Sequence, residues 1–520
     1  MEKDLTTGNI TPQLIRFTIP LVLGNIFQLM YNAIDSIIVG RFVGSHALAA
    51  VGICNPISTL FILFLNGLCM GASILMGNMF GAKEYDKLHK QISTTMISGI
   101  IFSLTLSVFC ILFAHPILTL MQVDSVIIPM TKLYLRIIFS GLIFTFMYNC
   151  FASTLRALGD SKSPLYFLII SSVVNVFGDL VFVLIFHMGS EGCAISTVLS
   201  EAISCLLCII YIQKKIPILR LGKKWFVFDP SLLKQTIAYG WASAMQQATV
   251  QLGKLGVQSI VNSMGVFVSA AFAAVNRIDD FAYMPQQNIA HAMTALMAQN
   301  KGAKKTNRIK AAFRCGMKIE LIYGIFIFLV CFFLAHPLMQ LFSSDPVVCK
   351  HGVTYLKMIS LMYLFPAVTN GVQGYFRGIG DLKITLISSF VNMSVRVIFA
   401  AILVFHFSLQ IETLPFFLSC RMDWNACGGN TVAFEEILIC WFDDENYWWN
   451  IIKRVICLRR ALARLTRSCT KLLNGLTTIH SLSAGVFLRS QTDNPFYNIQ
   501  IIYVIETTTE CVWRMVLDVN

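Results

Sequence analysis

Charged residues are scarce in this chain: Asp, Glu, Lys and Arg make up 13% of its 520 residues, against 56% hydrophobic residues and a mean hydropathy of +0.69. A soluble domain needs far more charge to cover its surface. The composition therefore excludes an ordinary soluble protein and predicts a chain that lies largely within a lipid bilayer.

Several catalytic motifs are also missing. The sequence contains no HExxH, no GxxxxGK[ST] and no GxSxG, which argues against a zinc hydrolase, an ATP-driven pump and an α/β-hydrolase. The 16 cysteines are scattered, and Cys205 and Cys208, although spaced as in zinc or redox motifs, lie in an apolar run without a second pair nearby. We therefore predict packed, reduced thiols, no enzymatic activity and no cofactor.

The net charge of +13 does not indicate a nucleic-acid-binding protein, because the basic residues lie in short gaps between apolar runs. By the positive-inside rule, such gaps are cytoplasmic loops. They contain Lys83, Lys87, Lys90, Arg156, Lys162, the connector 214–225, Lys301, Lys304, Lys305, Arg308, Lys310, Arg377 and Lys383. The polar segment 1–12 is not typical of a cleaved signal peptide. We predict a multi-pass protein of the bacterial cytoplasmic membrane with both termini in the cytoplasm.

About 20 mostly apolar residues are enough to cross a bilayer as a helix. Such runs lie at 15–40, 51–80, 92–114, 131–154, 165–187, 193–212, 232–261, 266–298, 312–335, 353–376 and 384–407. They predict an all-α polytopic membrane protein, and a twelfth helix is expected near 411–433.

The two sets of apolar runs are copies of each other. An offset of 221 residues carries Gly81-Ala82-Lys83 onto Gly302-Ala303-Lys304, His115-Pro116 onto His336-Pro337, and Arg156, Gly159, Asp160 and Lys162 onto Arg377, Gly380, Asp381 and Lys383. We predict a six-helix bundle over 1–213, a basic connector over 214–231 and a second bundle over 232–410. With an even number of helices per copy, the bundles should be related by a pseudo-two-fold axis along the membrane normal, with a cleft between them.

Ionisable residues inside predicted spans are costly, by at least about 2.5 kcal/mol on insertion scales, and are functional by default. Asp35 shares a helix face with Gln28, Tyr31 and Asn32. On later helices, Asn175 precedes Asp179 by four residues and Thr197 precedes Glu201 by four. These side chains predict a site for a proton or a sodium ion. The alternative is that they are polar contacts that only hold helices together.

The second half does not repeat this chemistry, because the offset puts Arg396 at the place of Asn175 and Ala400 at the place of Asp179. It carries instead polar or thioether side chains that could line a substrate cavity. These are Gln247, Gln251, Lys254 and Gln258 on one helix and Met284, Gln287 and His291 on the next. Helix packing is the alternative for all of them.

Four segments resemble the multidrug and toxic compound extrusion family, in particular its DinF-like bacterial branch: YNAIDSIIVGRFVG (31–44), MGNMFGAK (76–83), STLRALGDSKSP (153–164) and AFAAVNRIDDFAYMPQQ (271–287). The resemblance implies a twelve-helix antiporter that exports lipophilic, often cationic compounds in exchange for protons or sodium ions. It also implies that Asp35, Asn175, Asp179 and Thr197 form the coupling site. We expect a monomer that needs no partner besides lipid and substrate. A flippase for a lipid-linked saccharide is the alternative, but it would need a strongly cationic cavity.

The sequence changes character after about residue 410. Arg421 and Asp423 fall where the twelfth helix is expected, and five of the seven tryptophans lie between Trp424 and Trp513. We interpret 411–520 as the product of a reading-frame shift that begins near Phe416, which would leave the protein inactive. The alternative is a genuine cytoplasmic extension with a basic surface helix at 458–465.

Overall fold

A computed structural model describes residues 4–405, apart from 122, 221, 223–225 and 344. The regular structure of these residues is helical, and all of them belong to one compact unit, Met1–Glu436. The helices are α1 (Ile10–Ile38), α2 (Ser45–Gly81), α3 (Tyr85–Leu120), α4 (Ile128–Ser140), α5 (Leu142–Ala157), α6 (Lys162–Leu180), α7 (Ser190–Lys215), α8 (Pro230–Asn262), α9 (Val266–Gly302), α10 (Thr306–Phe333), α11 (Ala335–Gln340), α12 (Pro346–Ser360), α13 (Leu364–Ile379) and α14 (Leu382–Phe405).

The predicted all-helical membrane fold is confirmed. Each predicted run up to residue 405 falls on helical structure, and the helices extend several residues beyond most of the runs. Within the described residues, seven helices are long and apolar enough to cross a membrane, or eight if the bent pair α4 and α5 counts as one span. The expected twelfth helix and the segment 411–520, with its proposed frame shift, lie outside the described residues.

Two predicted spans are broken, at positions that the 221-residue offset relates. Gly141 separates α4 from α5, which are bent by 42°. A 3-10 turn, Leu361–Tyr363, separates α12 from α13. Glycine weakens a helix at the first break. Pro366 accounts for the second, because its ring cannot be accommodated in the preceding helical turn. Hydropathy alone does not detect either break.

The backbone repeats as closely as the sequence does. Left-handed φ values recur 221 residues apart at Gly44 and Gly265 (118° and 105°), Lys83 and Lys304 (60° and 55°), and Gly159 and Gly380 (86° and 81°). Such φ values are uncommon for lysine, so their recurrence is unexpected for unrelated loops. The same turns were therefore kept in both copies.

The copies meet through small residues on α2 and α9. A Cβ on Gly81 would overlap the carbonyl of Gln299, and a Cβ on Gly302 would overlap the carbonyl of Asn78. The offset exchanges Asn78 with Gln299 and Gly81 with Gly302, so the two contacts are reciprocal. A pseudo-two-fold axis relating the halves must therefore pass between α2 and α9.

The loops that carry the predicted cytoplasmic charges lie at one end of the helices. Gln299 Nε2 donates to the carbonyl of Ala157 at 2.7 Å, and Lys301 Nζ donates to that of Ile379. Asn300 Nδ2 donates to the carbonyl of Leu5 at 3.2 Å. The N-terminal segment therefore lies at the same end as the basic loops, in agreement with the alternating pattern of charge.

Arg308 attaches that N-terminal segment to the second half. Its guanidinium donates to the carbonyls of Gly8 at 2.6 Å and Thr7 at 2.9 Å and to Gln13 Oε1 at 2.8 Å. We expect Arg308→Ala to increase hydrogen exchange of the amides of residues 5–8 by about tenfold, because hydrogen bonds from a charged donor contribute about 1.5–3 kcal/mol. Mass spectrometry of the N-terminal peptide would measure it. Lys234→Ala, at an exposed position on α8, is the control, and equal exchange in both variants would contradict the prediction.

Candidate cation-coupling site

Three side chains from three helices meet in the N-terminal half. One carboxyl oxygen of Asp35 on α1, one of Asp179 on α6 and the sulfur of Cys193 on α7 all lie within 4.8 Å of one another. Asp179 is fully buried and Asp35 is half-buried. Asp35 Oδ1 and both carboxyl oxygens of Asp179 have no hydrogen-bond partner among the described residues. Two carboxyl groups therefore share a site in which this part of the chain supplies no compensating donor.

Irregular backbone follows each carboxyl group. α1 leads into a π-helical turn, Val39–Val43, and α6 leads into another, Val181–Ile185. π-helical turns inside long helices are rare and are frequent at functional sites. Gly178 precedes Asp179, and a Cβ there would overlap the hydroxyl of Ser196 on α7. The glycine therefore allows α7 to approach the carboxyl pair closely.

Asn175 and Thr197, the other two predicted coupling residues, lie in an adjoining network. Asn175 Nδ2 is 3.4 Å from both Ser196 Oγ and Thr197 Oγ1, and Ser196 Oγ donates to the Asn175 carbonyl at 2.7 Å. Thr197 Oγ1 donates to the carbonyl of Cys193 at 3.0 Å. Asn175 Oδ1 is buried and has no partner among the described residues. The structure thus brings the four predicted coupling residues into one region between α1, α6 and α7.

Glu201 lies one helical turn beyond Thr197 on α7. Its carboxyl accepts a hydrogen bond from Thr145 Oγ1 on α5. Asn149 on the same helix donates to the Thr145 carbonyl at 2.8 Å. Glu201 and Asp35 both act electrostatically on the Tyr31 hydroxyl, which also contacts Gln28. Tyr31 therefore links the predicted polar face of α1 to Glu201, while Gln28 and Asn32 are exposed.

The candidate substrate residues of the second half are more dispersed. Gln251 and Lys254 are exposed and Gln247 is half-buried. Lys254 Nζ forms an ion pair with Asp280 on α9 at 3.0 Å. Gln287 is exposed, whereas Met284 is only 7% exposed and packs in the protein interior.

Sequence reasoning missed several polar residues. Cys193 lies four residues before Thr197, so the spacing that selected Thr197 and Glu201 could also have selected it. In the second half, Asp279 lies within electrostatic range of Arg396 and Tyr363. Glu320 is fully buried in α10. Its signal was a single carboxylate inside a predicted span.

Cys205 and Cys208 are free, buried thiols, as the sequence predicted. Among the described residues, the group of three ligand-type side chains that could hold a metal ion is Asp35, Asp179 and Cys193. The CxxC spacing on α7 therefore reflects packing of one helix face.

A model of the MatE family matches the chain twice, over residues 20–181 and 242–402. The chain belongs to the MatE family. The two matched segments begin 20 and 242 residues from the N-terminus, close to the 221-residue offset of the repeat. A MatE protein is a membrane transporter, which agrees with the apolar helices described above, and the family resemblance of the sequence is confirmed.

Relatives extend this similarity over most of the MatE chain. A Bacillus subtilis protein named "Probable multidrug resistance protein YoeA" is 30% identical over 405 residues, which are 76% of this chain and 87% of that protein. The Thermotoga maritima "Probable multidrug resistance protein NorM" is 23% identical over 413 residues, 77% of this chain and 87% of that protein. A solved multidrug resistance MATE family transporter in an outward-facing conformation has the same fold, with a TM-score of 0.78 at 21% identity over 84% of this chain and 98% of that one.

Proposed function

We propose that this chain is a secondary active antiporter that exports lipophilic or cationic small molecules in exchange for a monovalent cation bound at Asp35 and Asp179. The observation that carries the proposal is the close, buried pair of carboxyl groups without hydrogen-bond donors. The relatives named as multidrug resistance proteins support the substrate class. The protein would act as a monomer in the bacterial cytoplasmic membrane, with its basic loops and N-terminus in the cytoplasm.

Charge repulsion provides the coupling mechanism. Two ionised carboxylates this close repel each other strongly where water is excluded, because the effective dielectric constant is low. A bound cation removes that repulsion and lets α1, α6 and α7 pack closely. When the cation leaves, the repulsion favours an arrangement in which these helices separate or admit water. Occupancy of the site would thereby bias the protein between two conformations.

We propose that the coupling cation is a proton. A sodium ion prefers a shell of oxygen ligands, as other hard cations do. Here a thiol, Cys193, occupies one side of the cluster, and the amide nitrogen of Asn175 already faces Thr197 and Ser196. A proton needs no ligand shell and can be held between Asp35 and Asp179 alone.

Transport into liposomes tests both parts of this proposal. The purified chain is reconstituted, and uptake of the fluorescent lipophilic cation ethidium is followed under an imposed pH gradient or an imposed sodium gradient. We expect a pH gradient alone to drive accumulation. Accumulation driven only by sodium would contradict proton coupling, and no accumulation under either gradient would contradict the antiporter proposal for the chain as given.

A version that ends at Gln410 separates the second outcome from an effect of the C-terminal segment. If the shortened chain transports ethidium and the complete chain does not, residues 411–520 block the activity. If neither transports it while both are inserted in the liposomes, the described helices are not sufficient for export.

A further inference from the structure

Glu320 is an ionisable residue that the coupling site does not use. It lies on α10, is 0% exposed, and neither carboxyl oxygen has a hydrogen-bond partner among the described residues. A carboxyl group is costly at such a position, and intramembrane carboxyl groups are mostly functional. Packing alone would be served better by an apolar residue of the same size.

The internal repeat supplies a natural comparison. The offset of 221 residues puts Gly99 at the place of Glu320 and Phe146 at the place of Ala367. In the first half, the Phe146 ring fills the space next to Gly99, because a Cβ on that glycine would overlap the ring. In the second half a glutamate and a buried alanine stand at these places. The second copy thus has a carboxyl group where the first copy has an aromatic ring.

Polar groups from two neighbouring helices surround this carboxyl group. Arg377 on α13 and Tyr283 on α9 both act on it electrostatically, as does Tyr323 on α10 itself. Tyr283 Oη donates to Asn370 Oδ1 on α13 at 3.1 Å, and Asn370 Nδ2 is buried without a partner among the described residues.

These groups suit a carboxyl group that changes its charge. The free amide hydrogens of Asn370 and the positive charge of Arg377 favour the ionised form of Glu320. The nearest guanidinium nitrogen is not fully committed to it, because Arg377 Nε donates to the Gln373 carbonyl at 3.2 Å. Burial favours the neutral form. Neither charge state is therefore locked by a direct ion pair, which is what proton exchange requires.

We propose that Glu320 is a second proton-binding site, located in the C-terminal half and separate from Asp35 and Asp179. This rests on the proposed proton-coupled export. In each cycle the Glu320 carboxyl takes a proton from water on the outer side and releases it to water on the cytoplasmic side. The transporter then moves one more proton per substrate than the carboxyl pair alone would carry.

The number of coupled protons is measured in liposomes from the ethidium gradient that exactly balances a known pH gradient. The slope of the logarithm of the first against the second gives the stoichiometry. We expect this slope to fall by one in Glu320→Gln. Glu84→Gln, the same change at an exposed carboxylate that pairs with Lys87, should leave it unchanged. An unchanged slope in Glu320→Gln would overturn the proposal.

A chemical measurement on the unmodified chain does not depend on transport. Dicyclohexylcarbodiimide adds to protonated carboxyl groups in apolar surroundings: the acid proton moves to a carbodiimide nitrogen, the carboxyl oxygen bonds to the central carbon, and rearrangement leaves a stable N-acylurea with no leaving group. We expect mass spectrometry to find the adduct on the peptide that contains Glu320, decreasing about tenfold per pH unit above its midpoint.

The two measurements keep the proposals apart. Labelling of Glu320 that does not vary with pH, or no labelling, would overturn its role in proton exchange. If Glu320 is labelled in a pH-dependent way and ethidium is not transported, proton exchange at Glu320 stands and the export function fails. The labelling also covers the case in which Glu320→Gln does not fold.

Discussion

Asp179→Asn is expected to reduce gradient-driven ethidium transport to the level of empty liposomes. Asparagine has nearly the same shape as aspartate, so the packing of α6 against α7 should survive. Its side chain carries no charge and cannot bind or release a proton. The repulsion between Asp179 and Asp35 would disappear permanently, and the protein would be held in the conformation that the bound cation favours.

Counterflow distinguishes this outcome from misfolding. Exchange of labelled for unlabelled substrate needs no net cation movement, so a folded but uncoupled variant can retain binding of ethidium while it loses accumulation. Asp124→Asn is the matched control, because Asp124 is an exposed loop residue whose carboxyl accepts a hydrogen bond from the amide of Val126 at 2.9 Å. Accumulation by Asp179→Asn equal to that of Asp124→Asn would exclude the carboxyl pair as the coupling site.

Gly81→Ala is expected to have the largest effect on stability. The added methyl group would overlap the carbonyl of Gln299, which belongs to the backbone of α9 and cannot rotate away. The two halves would have to move apart where their contact is closest. Overpacking typically costs about 1–3 kcal/mol, and a contact with backbone should lie at or above the upper end of that range. The melting temperature of the purified protein in detergent measures the loss.

Gly52→Ala on the same helix should act in the opposite direction. No atom lies within 4 Å of a Cβ at Gly52. Replacing a helical glycine by alanine then stabilises by about 0.5–1 kcal/mol through reduced backbone freedom. Gly302→Ala should resemble Gly81→Ala, because the two positions are exchanged by the repeat. A melting temperature of Gly81→Ala equal to that of Gly52→Ala would show that α2 and α9 do not meet as described.

The halves of the protein have diverged while their backbones have not. The left-handed turns recur at matched positions, and so does the contact between α2 and α9. The carboxyl groups do not recur: Asp179 corresponds to Ala400, and Glu320 corresponds to Gly99. An inherited scaffold has thus been given a different buried charge in each half, which suggests that each half responds to a proton at a different place.

Much of the fold was accessible from the sequence, because membrane helices are recorded locally in the chain. Hydropathy located the spans, and the repeat of residues such as Gly81 and Gly302 gave the symmetry. The breaks near Gly141 and Pro366 were not predicted, since glycine and proline are tolerated in many membrane helices. Asp35 and Asp179 were selected as candidates because a carboxylate in an apolar run is conspicuous.

The sequence by itself determined that the chain is a duplicated helical membrane protein with rare buried carboxyl groups, because the energetic cost of polarity in lipid depends on each segment separately. Only the tertiary structure decided that Asp35, Asp179 and Cys193 converge, while Glu320 faces α9 and α13 instead. A membrane helix that is apolar on all sides carries little sign of which face meets its neighbours. Helix rotation and crossing therefore decide which distant side chains share a site, and both follow from the packing of small residues such as Gly81 and Gly178.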